Sequence, residues 1–175
     1  MHLNWVDCDD NTHGTAILEL LNHAILHSTA LYDYKPRSRE QLTQWFTVKA
    51  ISHFPVIGLV TPEGVLVGFA SYGVFRVLPA YKYTVEHAIY VHPQYVGQGL
   101  GKLLLARLIE RATEQNYHTM VGVIDSQNTV SIALHEKLGF TLSGTLHQVG
   151  FKFGRWLDVV LYQKILNTPT QPEEG

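Results

Sequence analysis

The chain has 175 residues, of which 46% are hydrophobic and 16% are charged, and its formal net charge is -2. These values are typical of a soluble globular domain, and they exclude a disordered chain and a strongly basic protein that binds nucleic acid. Cys8 is the only cysteine, which excludes an internal disulfide and suits a reducing compartment. Since no apolar run reaches the roughly 18 residues of a membrane span and no signal-peptide pattern opens the chain, we expect a cytoplasmic protein.

The N-terminal part of the sequence predicts a strand, two helices and a β-hairpin. HLNWV indicates a short strand, which turn-forming residues separate from a helix over Thr15–His27. Ser38, with Gln41 three residues later, has the pattern of a capping box for a second helix that runs to about Ile51. PVIGLVT and VLVGFASYGVF, joined by the turn PEG, predict the hairpin.

The remainder of the sequence alternates predicted strands and helices. YTVEHAIYV is the segment most prone to form a strand, and a helix from Gly99 to about Asn116 follows it. TMVGVID indicates a buried strand, Asn128–Leu138 a short helix closed by a glycine, and FTLSGTLHQVGF and RWLDVVLYQKIL the last two strands. We therefore predict an α/β fold with one domain over residues 1–166, a mixed central sheet of about six or seven strands flanked by helices, and a flexible tail over 167–175.

Three alternating glycines stand directly before the third predicted helix. Gly97, Gly99 and Gly101 bare the backbone at a helix N-terminus, where free N–H groups and the helix dipole favour an anion. A Walker A loop does not fit, because Leu103 follows Lys102 where Ser or Thr is required, and the last glycine spacing does not fit a dinucleotide fingerprint. Glycines that only permit a tight turn are the alternative, so the spacing indicates a phosphate site without naming the ligand.

Longer motifs narrow this interpretation. From Tyr83 to Phe140 the chain resembles the GNAT superfamily of N-acetyltransferases: VGQGLG is similar to its pyrophosphate-binding pattern R/Q-x-x-G-x-G/A, and NTVSIALHEKLGF to its later Asn-helix-Gly-Phe pattern. YTVEHAIYVHP, SIALHEKLGF and QVGFKFGRWLDVVL resemble the phosphinothricin acetyltransferase group within that family. The resemblance implies a GNAT-like domain that uses acetyl-CoA and an acceptor such as phosphinothricin, methionine sulfoximine or methionine sulfone. It also implies a homodimer, in which the hairpin GFKFGRWLD orders the active-site wall or reaches the second subunit.

For acetyl-CoA, the resemblance implies mainly backbone contacts. The pyrophosphate is expected on the glycine turn and the pantetheine amides on the preceding strand, where a bulge or splay would free backbone groups and one N–H could polarise the thioester carbonyl. Val96 stands where the family usually has Arg or Gln, so we expect affinity to suffer more than activity. The predicted cofactor-binding residues are Ile89, Tyr90, Val91, Val96, Gly97, Gln98, Gly99, Leu100, Gly101, Asn128 and Ser131.

Glu86 interrupts an apolar strand, although acidic residues are depleted from strands. An amine must lose a proton before it attacks a thioester, and a carboxylate within reach can take that proton. Residue type alone leaves a catalytic Glu and a structural one equally open, the structural one being either solvent-facing or paired with Lys82 or an Arg. Because the resemblance puts the family's catalytic Glu at this position, we predict that Glu86 is the general base, on the strand face opposite Val85 and His87.

The short helix carries a polar stripe that the resemblance connects with CoA. It implies that Asn128 contacts the pantetheine arm and that His135 is the general acid for the leaving thiolate, while solvated surface is the alternative. The thiolate of CoA can also depart without help. The stripe consists of Asn128, Ser131 and His135, and the predicted core side consists of Val130, Ala133, Leu134 and Leu138.

Arg76 is the candidate for binding the acid group of the acceptor. A guanidinium fork binds carboxylate or phosphinate through two parallel hydrogen bonds, and the resemblance puts the acceptor pocket in this loop, although a surface Arg is the alternative. His87 is expected either to touch the acceptor or to pack inside. The predicted acceptor-binding residues are Phe75, Arg76, Tyr83, Val85, Glu86 and His87.

Other functions are weighed against this one. His23 and His27 are four residues apart but lack the Glu of a zinc helix, so we predict no metal. Cys8 gives no support for a cysteine nucleophile, so the amine would attack directly. A protein N-terminal or lysine acetyltransferase, which would need an open groove, and a catalytically silent acyl-CoA sensor stay open; the presence of Glu86 and His135 counts against the sensor.

Overall fold

The computed structural model describes residues 1–175 and contains a seven-stranded sheet and four α-helices. The helices are α1 Asp10–His27, α2 Arg39–Ile51, α3 Leu100–Glu114 and α4 Thr129–Lys137. The strands are β1 Asn4–Asp7, β2 Val56–Val60, β3 Leu66–Val74, β4 Thr84–Val91, β5 Thr119–Asp125, β6 Thr141–Lys152 and β7 Arg155–Ile165. Single 3₁₀ turns lie at Pro79–Tyr81 and Pro93–Tyr95. No helix combines the length and the apolar character that crossing a membrane requires.

The strand order is β1-β2-β3-β4-β5-β7-β6, with β4 and β5 parallel and antiparallel pairing in β1–β2, β2–β3, β5–β7 and β6–β7. This mixed sheet confirms the predicted α/β fold and its strand number. Contacts divide the chain into two units, of which unit 1 contains residues 1–71 and 88–105 and unit 2 contains residues 72–87 and 106–175. Each unit is built around its own part of the sheet.

In unit 1, β2 and β3 form the predicted hairpin. Its register pairs Ile57 with Ala70, and every residue of β2 is buried. The N–H of Thr61 donates to the carbonyl of Val65 at 2.9 Å to close the turn. Gly64 in this turn has a φ of +85°, in the left-handed region that glycine adopts without steric cost.

The core of unit 1 lies between this hairpin and the first two helices. Ile17 and Leu21 of α1 and Leu42 of α2 pack with Phe69 of β3 in one buried cluster. Trp45 adds an edge-on contact to Phe69, with 6.4 Å between the ring centroids. Since burying an aliphatic or aromatic side chain contributes about 1.5–3 kcal/mol, this cluster accounts for the helical spacing of apolar residues in α1.

The two helix N-termini differ in how well the sequence predicts them. Ser38 Oγ accepts the N–H of Gln41 at 3.1 Å, and Gln41 Oε1 accepts the N–H of Ser38 at 2.8 Å, which confirms the capping box of α2. The predicted start of α1 at Thr15 is wrong, because Asp9 caps the helix by accepting the N–H of Thr12 at 2.8 Å. Asp and Asn favour helix N-termini as well as turns, so the turn-forming residues are the first turn of the helix.

In unit 2, β5, β6 and β7 form the main part of the sheet. β5 pairs with β7 from Thr119 opposite Ile165 to Asp125 opposite Val159. The parallel register of β4 and β5 puts Glu86 beside Val121. Because directly paired residues point to the same side of a sheet, Glu86 shares the side of Val121, and His87 points to the opposite side.

The last residues follow β7. The hydroxyl of Thr168 donates to the carbonyl of Tyr117 at 2.6 Å, and the hydroxyl of Tyr83 accepts the N–H of Glu173 at 2.9 Å. Both contacts lie within unit 2. The domain boundary after residue 166 and the flexibility of the tail stay predictions.

Candidate active site

The glycine turn before α3 has a conformation that favours glycine at two positions. Gly97 and Gly99 have φ angles of +79° and +78°, in the left-handed region. A Cβ built at either residue would meet no other atom within 4 Å, so the space next to this backbone is open. Gly101 lies in the first turn of α3, whose leading N–H groups have no partner within the helix. An open backbone concavity at a helix N-terminus suits a phosphate group.

Two side chains of the turn limit what it offers a ligand. Leu100 is 4% exposed, so it can contribute only its backbone N–H, whereas the side chain of Val96 is 63% exposed. Val96 has no polar atom beyond its backbone, so a phosphate here would be bound mainly by main-chain donors.

The end of β4 also offers backbone rather than side chains. The Tyr90 ring stacks on Phe69 in unit 1, with 5.2 Å between the centroids and 29° between the planes. A Cβ on Gly68 would come within 3.1 Å of the Tyr90 carbonyl oxygen, so a larger residue at this position would crowd the strand. The predicted bulge, which would free the backbone of Ile89–Val91 to bind pantetheine, stays a prediction.

Glu86 has an exposed side chain that forms no ion pair or hydrogen bond within residues 1–175. The alternative in which it pairs with Lys82 is wrong, because the Lys82 ammonium lies over the Tyr83 ring, 5.1 Å from its centroid. Although solvent reaches the carboxyl, surrounding protein desolvates it and raises its pKa above the ordinary value. A carboxylate that solvent can reach and that has no cationic partner can accept a proton from a nearby ammonium.

His87 and His135 form a buried pair on the opposite side of β4. Their exposed fractions are 8% and 3%, and their Nε2 atoms lie 2.8 Å apart. The rings stack at 29° with 5.0 Å between centroids, and Phe140 contacts both. Of the two predictions for His87, contact with the acceptor and packing inside, the packed histidine is the one observed.

This pair changes the predicted orientation of α4. Val130 is 80% exposed and Ala133 is also exposed, so both are wrong as predicted core residues, whereas Leu134 and Leu138 are half-buried. Of the polar stripe only His135 is buried, because it has a hydrogen-bonding partner on a strand distant in sequence. A buried polar ring is stable only with such partners.

Both ring nitrogens of His135 are engaged. Nδ1 lies 2.7 Å from the carbonyl oxygen of Ser131, one helical turn earlier, and Nε2 faces His87. Burial lowers the pKa of His135, while the Ser131 carbonyl acts in the opposite direction. Burial lowers the pKa of His87 to about 3, and the neighbouring His135 acts in the same direction. Both rings are therefore neutral at pH 7.

One nitrogen of the pair lacks a partner. His87 Nδ1 is buried without a hydrogen bond. The nearby Val121 backbone nevertheless raises the pKa of His87, against the larger effect of burial. No contact of acceptable length and angle joins the Val121 backbone to this nitrogen.

Asn128 and Ser131 mainly hold α4 in place. Asn128 Oδ1 accepts the N–H of Ser131 at 3.1 Å and so caps the helix. Because this bond uses the amide oxygen, the amide N–H₂ of Asn128 is left as a donor for a ligand.

The loop before β4 contains an unpaired cation that lies near one aromatic ring, which a second ring contacts in turn. Arg76 is exposed, and its guanidinium carbon lies 5.9 Å from the centroid of the Tyr81 ring. The Phe75 ring meets the same Tyr81 edge-on at 5.8 Å. No carboxylate pairs with Arg76 within residues 1–175. A guanidinium that is held on an aromatic face and keeps free N–H groups can bind an acid group.

Two other predicted acceptor residues are placed differently. Val85 is 0% exposed, so the structure offers no surface at which it could contact an acceptor. Strand alternation turns Val85 inward, on the side of β4 opposite Glu86. Tyr83 is half-buried, and its hydroxyl is occupied by the backbone of Glu173.

Three features of the site are missing from the sequence predictions. Tyr81 supports Arg76, and Gly122 leaves room for the two histidines. Asp125 is 7% exposed, and its Oδ2 has no partner, while Oδ1 accepts the N–H of Gln127 at 2.8 Å. Of these three, only Gly122 could have been found in the sequence, because a glycine inside an apolar strand indicates that another group approaches the strand closely.

A search for metal ligands finds no group of three or more His, Cys, Asp or Glu side chains in residues 1–175 that could hold a metal ion. The predicted absence of a metal stays a prediction.

Comparison with known proteins identifies the family. Residues 18–140 match the model of the Acetyltransferase (GNAT) family. The chain belongs to this family. This confirms the resemblance seen in the sequence and the prediction that the protein is an acyltransferase.

Individual relatives match over nearly the whole chain. The L-methionine sulfoximine/L-methionine sulfone acetyltransferase of Salmonella typhimurium is 42% identical over 94% of this chain and 95% of its own. The phosphinothricin N-acetyltransferase of Alcaligenes faecalis is 34% identical over 90% of this chain and 81% of its own. A GNAT superfamily phosphinothricin acetyltransferase from Sinorhizobium meliloti, solved in complex with acetyl-CoA, matches with a TM-score of 0.93 and 33% identity over 100% of this chain and 95% of its own.

Proposed function

We propose that this acetyltransferase transfers the acetyl group of acetyl-CoA to the α-amine of a small amino-acid-like acceptor. The acceptors named for its relatives, methionine sulfoximine, methionine sulfone and phosphinothricin, support this class, and a related structure contains acetyl-CoA. The observation that supports this reaction most strongly is the carboxyl of Glu86, which is exposed and unpaired. Desolvation by the surrounding protein raises its pKa.

The pyrophosphate of acetyl-CoA would bind the backbone N–H groups of 96–101. The turn suits it, because glycine at 97 and 99 leaves open space where side chains would otherwise stand. The backbone of Ile89–Val91 would bind the pantetheine amides, and the amide N–H₂ of Asn128 would donate to a pantetheine carbonyl. Ser131 would contribute by fixing Asn128 through its N–H.

Glu86 would act as the general base. It takes a proton from the acceptor's ammonium group, directly or through one water molecule, which leaves a neutral amine. The nitrogen lone pair then attacks the thioester carbonyl, and the tetrahedral intermediate that forms expels the thiolate of CoA as the C–S bond breaks. The nitrogen loses its second proton as the amide forms, and the thiolate takes up a proton.

Attack would be direct, without an acyl-enzyme. Burial, Asp7 and Asp9 raise the pKa of the Cys8 thiol to about 12, so it stays protonated near neutral pH. The thiolate is the nucleophilic form of cysteine, so Cys8 is unsuited to carry the acetyl group.

A cytoplasmic location, predicted from the cysteine content, stays a prediction.

The general-acid role of His135 also stays a prediction, and the contacts of its ring restrict it. Direct protonation of the thiolate would need an N–H that is free to reach it, whereas both nitrogens are engaged and the ring is 3% exposed. Water is the simpler proton source, because the thiolate of CoA is stable enough to leave alone.

Arg76 would bind the acid group of the acceptor. Its guanidinium is exposed and unpaired, and its carbon lies 5.9 Å from the centroid of the Tyr81 ring. A carboxylate or phosphinate could accept two parallel N–H bonds from this fork. A protein N-terminus or lysine side chain has no such group next to its amine, which favours the small acidic acceptor over these alternatives.

The protein would act as a homodimer. β6 is at the edge of the sheet, and the hairpin of β6 and β7 exposes apolar side chains, each at least 45% accessible. These are Leu142, Leu146, Val149, Phe151, Phe153 and Trp156. An apolar edge strand of this length is a site for pairing with another chain. We expect the double variant Leu146→Asp, Trp156→Asp to be monomeric in sedimentation velocity; an unchanged dimer would place the interface elsewhere.

Thiol release from acetyl-CoA tests the function. We expect turnover with methionine sulfoximine, methionine sulfone or phosphinothricin, and little with a lysine-containing peptide. Acetyl-CoA that binds without turnover of any amino acid or peptide would favour the acyl-CoA sensor, and turnover of the peptide alone would favour the protein acetyltransferase.

A further inference from the structure

The hydrogen bonds of the buried histidine pair fix which nitrogen carries each proton. A backbone carbonyl can only accept, so the 2.7 Å contact between Ser131 O and His135 Nδ1 requires a proton on Nδ1. The second contact of this nitrogen, 3.5 Å to Ser131 Oγ, is too long to compete. His135 is therefore assigned as the Nδ1–H tautomer.

The proton of His87 follows from this assignment. In a neutral His135 with a proton on Nδ1, Nε2 has a lone pair, and it lies 2.8 Å from His87 Nε2. Two lone pairs at this distance would repel each other, so His87 Nε2 must donate its N–H to His135. His87 Nδ1 then has the remaining lone pair, and it is the buried nitrogen without a partner.

The surroundings are built to hold two rings in this arrangement. A Cβ on Gly122 of β5 would lie 2.9 Å from His87 Cε1 and 3.1 Å from His135 Nε2. Any side chain there would displace the pair. Phe140, three residues after the end of α4, contacts both rings at centroid distances of 5.5 Å and 5.1 Å. The pair thus joins three elements, β4, β5 and α4.

A proton wire does not fit these contacts. A proton accepted at His87 Nδ1 could move His87 Nε2–H to His135, but His135 Nδ1–H would then have to leave toward the Ser131 carbonyl. A carbonyl oxygen does not take up that proton, so the chain of bonds ends inside α4. The geometry therefore indicates orientation rather than proton transport.

We propose that His87 is a positioning residue whose Nε2–H···Nε2 bond to His135 ties α4 to the strand that presents Glu86. The Ser131 carbonyl sets the tautomer of His135, and His135 in turn sets that of His87. His87 follows Glu86 directly, so a fixed His87 ring fixes the peptide that carries the base. At the other end, the Ser131 carbonyl bonded to His135 belongs to the residue whose N–H is capped by Asn128. The consequence for catalysis rests on the proposed function, whereas the tautomers do not.

Long-range ¹H–¹⁵N NMR on the wild-type protein at pH 7 tests the tautomers without a variant. We expect His135 as the Nδ1–H form and His87 as the Nε2–H form. Observation of His135 as the Nε2–H form, or of either ring as an imidazolium, would overturn the assignment.

Kinetics of two variants test the positioning. His87→Gln can still donate an N–H to His135, so we expect kcat/KM within about threefold of wild type. His87→Leu leaves His135 Nε2 without a donor, and we expect kcat to fall by about 10–100-fold, because small misplacements of reacting groups are costly. The His135 signal of the folded Leu variant should keep the Nδ1–H pattern, because the Ser131 carbonyl still accepts that proton.

The outcomes separate the two proposals. Equal loss in the Gln and Leu variants would overturn the positioning by the hydrogen bond, as would full activity in the Leu variant. Absence of acetyl transfer in the wild type would refute the proposed function, and the NMR result would stand independently.

Discussion

Glu86 and His87 are neighbours in β4, yet they lie on opposite sides of the strand in different environments. Glu86 is exposed and has no partner, whereas His87 is 8% exposed and bonded to His135. Desolvation favours the neutral form of each, since it raises the pKa of Glu86 and lowers that of His87. Only Glu86 keeps access to solvent, so only this side of the strand can exchange protons with a substrate. The same physical cause thus gives a reactive group on one side and an inert, orienting group on the other.

The largest expected effect is that of a substitution at Glu86, on the exposed side of β4. Glu86→Gln removes the proton acceptor, and we expect kcat to fall by about 10²–10⁴-fold in the thiol-release assay. Because only the carboxylate accepts a proton, wild-type kcat/KM should fall as the pH drops through the pKa of Glu86. Burial raises this pKa, so the fall should lie above the ordinary Glu value of about 4.3.

The Gln variant should lose this acid limb, and Glu19→Gln on α1 is the matched control, since Glu19 is also exposed. A Glu86→Gln enzyme with full rate at every pH would remove Glu86 from the mechanism and with it the contrast between the two sides.

A second effect concerns the acceptor rather than the base. Arg76→Ala should raise KM for an acidic acceptor by about 10–100-fold, because hydrogen bonds to charged groups contribute about 1.5–3 kcal/mol. KM for acetyl-CoA should stay unchanged, and Arg76→Lys should recover only part of the loss since it lacks the planar fork. An unchanged acceptor KM in Arg76→Ala would show that the acid group binds elsewhere.

The buried His87 should make the stability of the protein depend on pH. The pKa of His87 is lower in the folded state than the ordinary value of about 6.5, so the unfolded chain binds a proton first as the pH falls. The stabilisation is therefore present above about pH 6.5 and is lost on acidification toward about pH 3. Between pH 7 and 5, His87 should account for about 2 kcal/mol of the loss in the free energy of unfolding.

Denaturant titrations of wild type and His87→Phe at the two pH values measure this contribution. The stability difference between the two proteins should shrink by about 2 kcal/mol at pH 5. A difference that is independent of pH would mean that the buried imidazole titrates normally.

The smallest effect lies outside β4, in a turn that contributes main chain only. Gly97→Ala should cost about 1 kcal/mol of stability, because its φ of +79° is unfavourable for a residue with a Cβ. The Cβ would also stand where the pyrophosphate is expected, so calorimetry should show weaker acetyl-CoA binding. Gly64→Ala is the matched control, with a φ of +85° and no atom within 4 Å of its Cβ. If both variants bind acetyl-CoA equally, the turn is not the pyrophosphate site.

Local patterns in the sequence predict most of the fold. The capping box at Ser38 and the alternation of β4 depend on residues close in sequence, and both occur as predicted. The orientation of α4 could not be predicted in this way. Its inward side is decided by a hydrogen bond between His135 and His87, 48 residues apart. Tyr81 was missed for a related reason, since its contact with Arg76 depends on the path of the intervening loop.

The close approach of the two histidine rings to Gly122 has a consequence for how this sequence can diverge. Positions 87, 122 and 135 share one small volume, so a Cβ at 122 is compatible only with smaller or differently placed side chains at the other two. A substitution at any one of them alone would leave a clash or a void. Among homologous proteins, we expect the three positions to change together, with glycine at 122 wherever both histidines are retained.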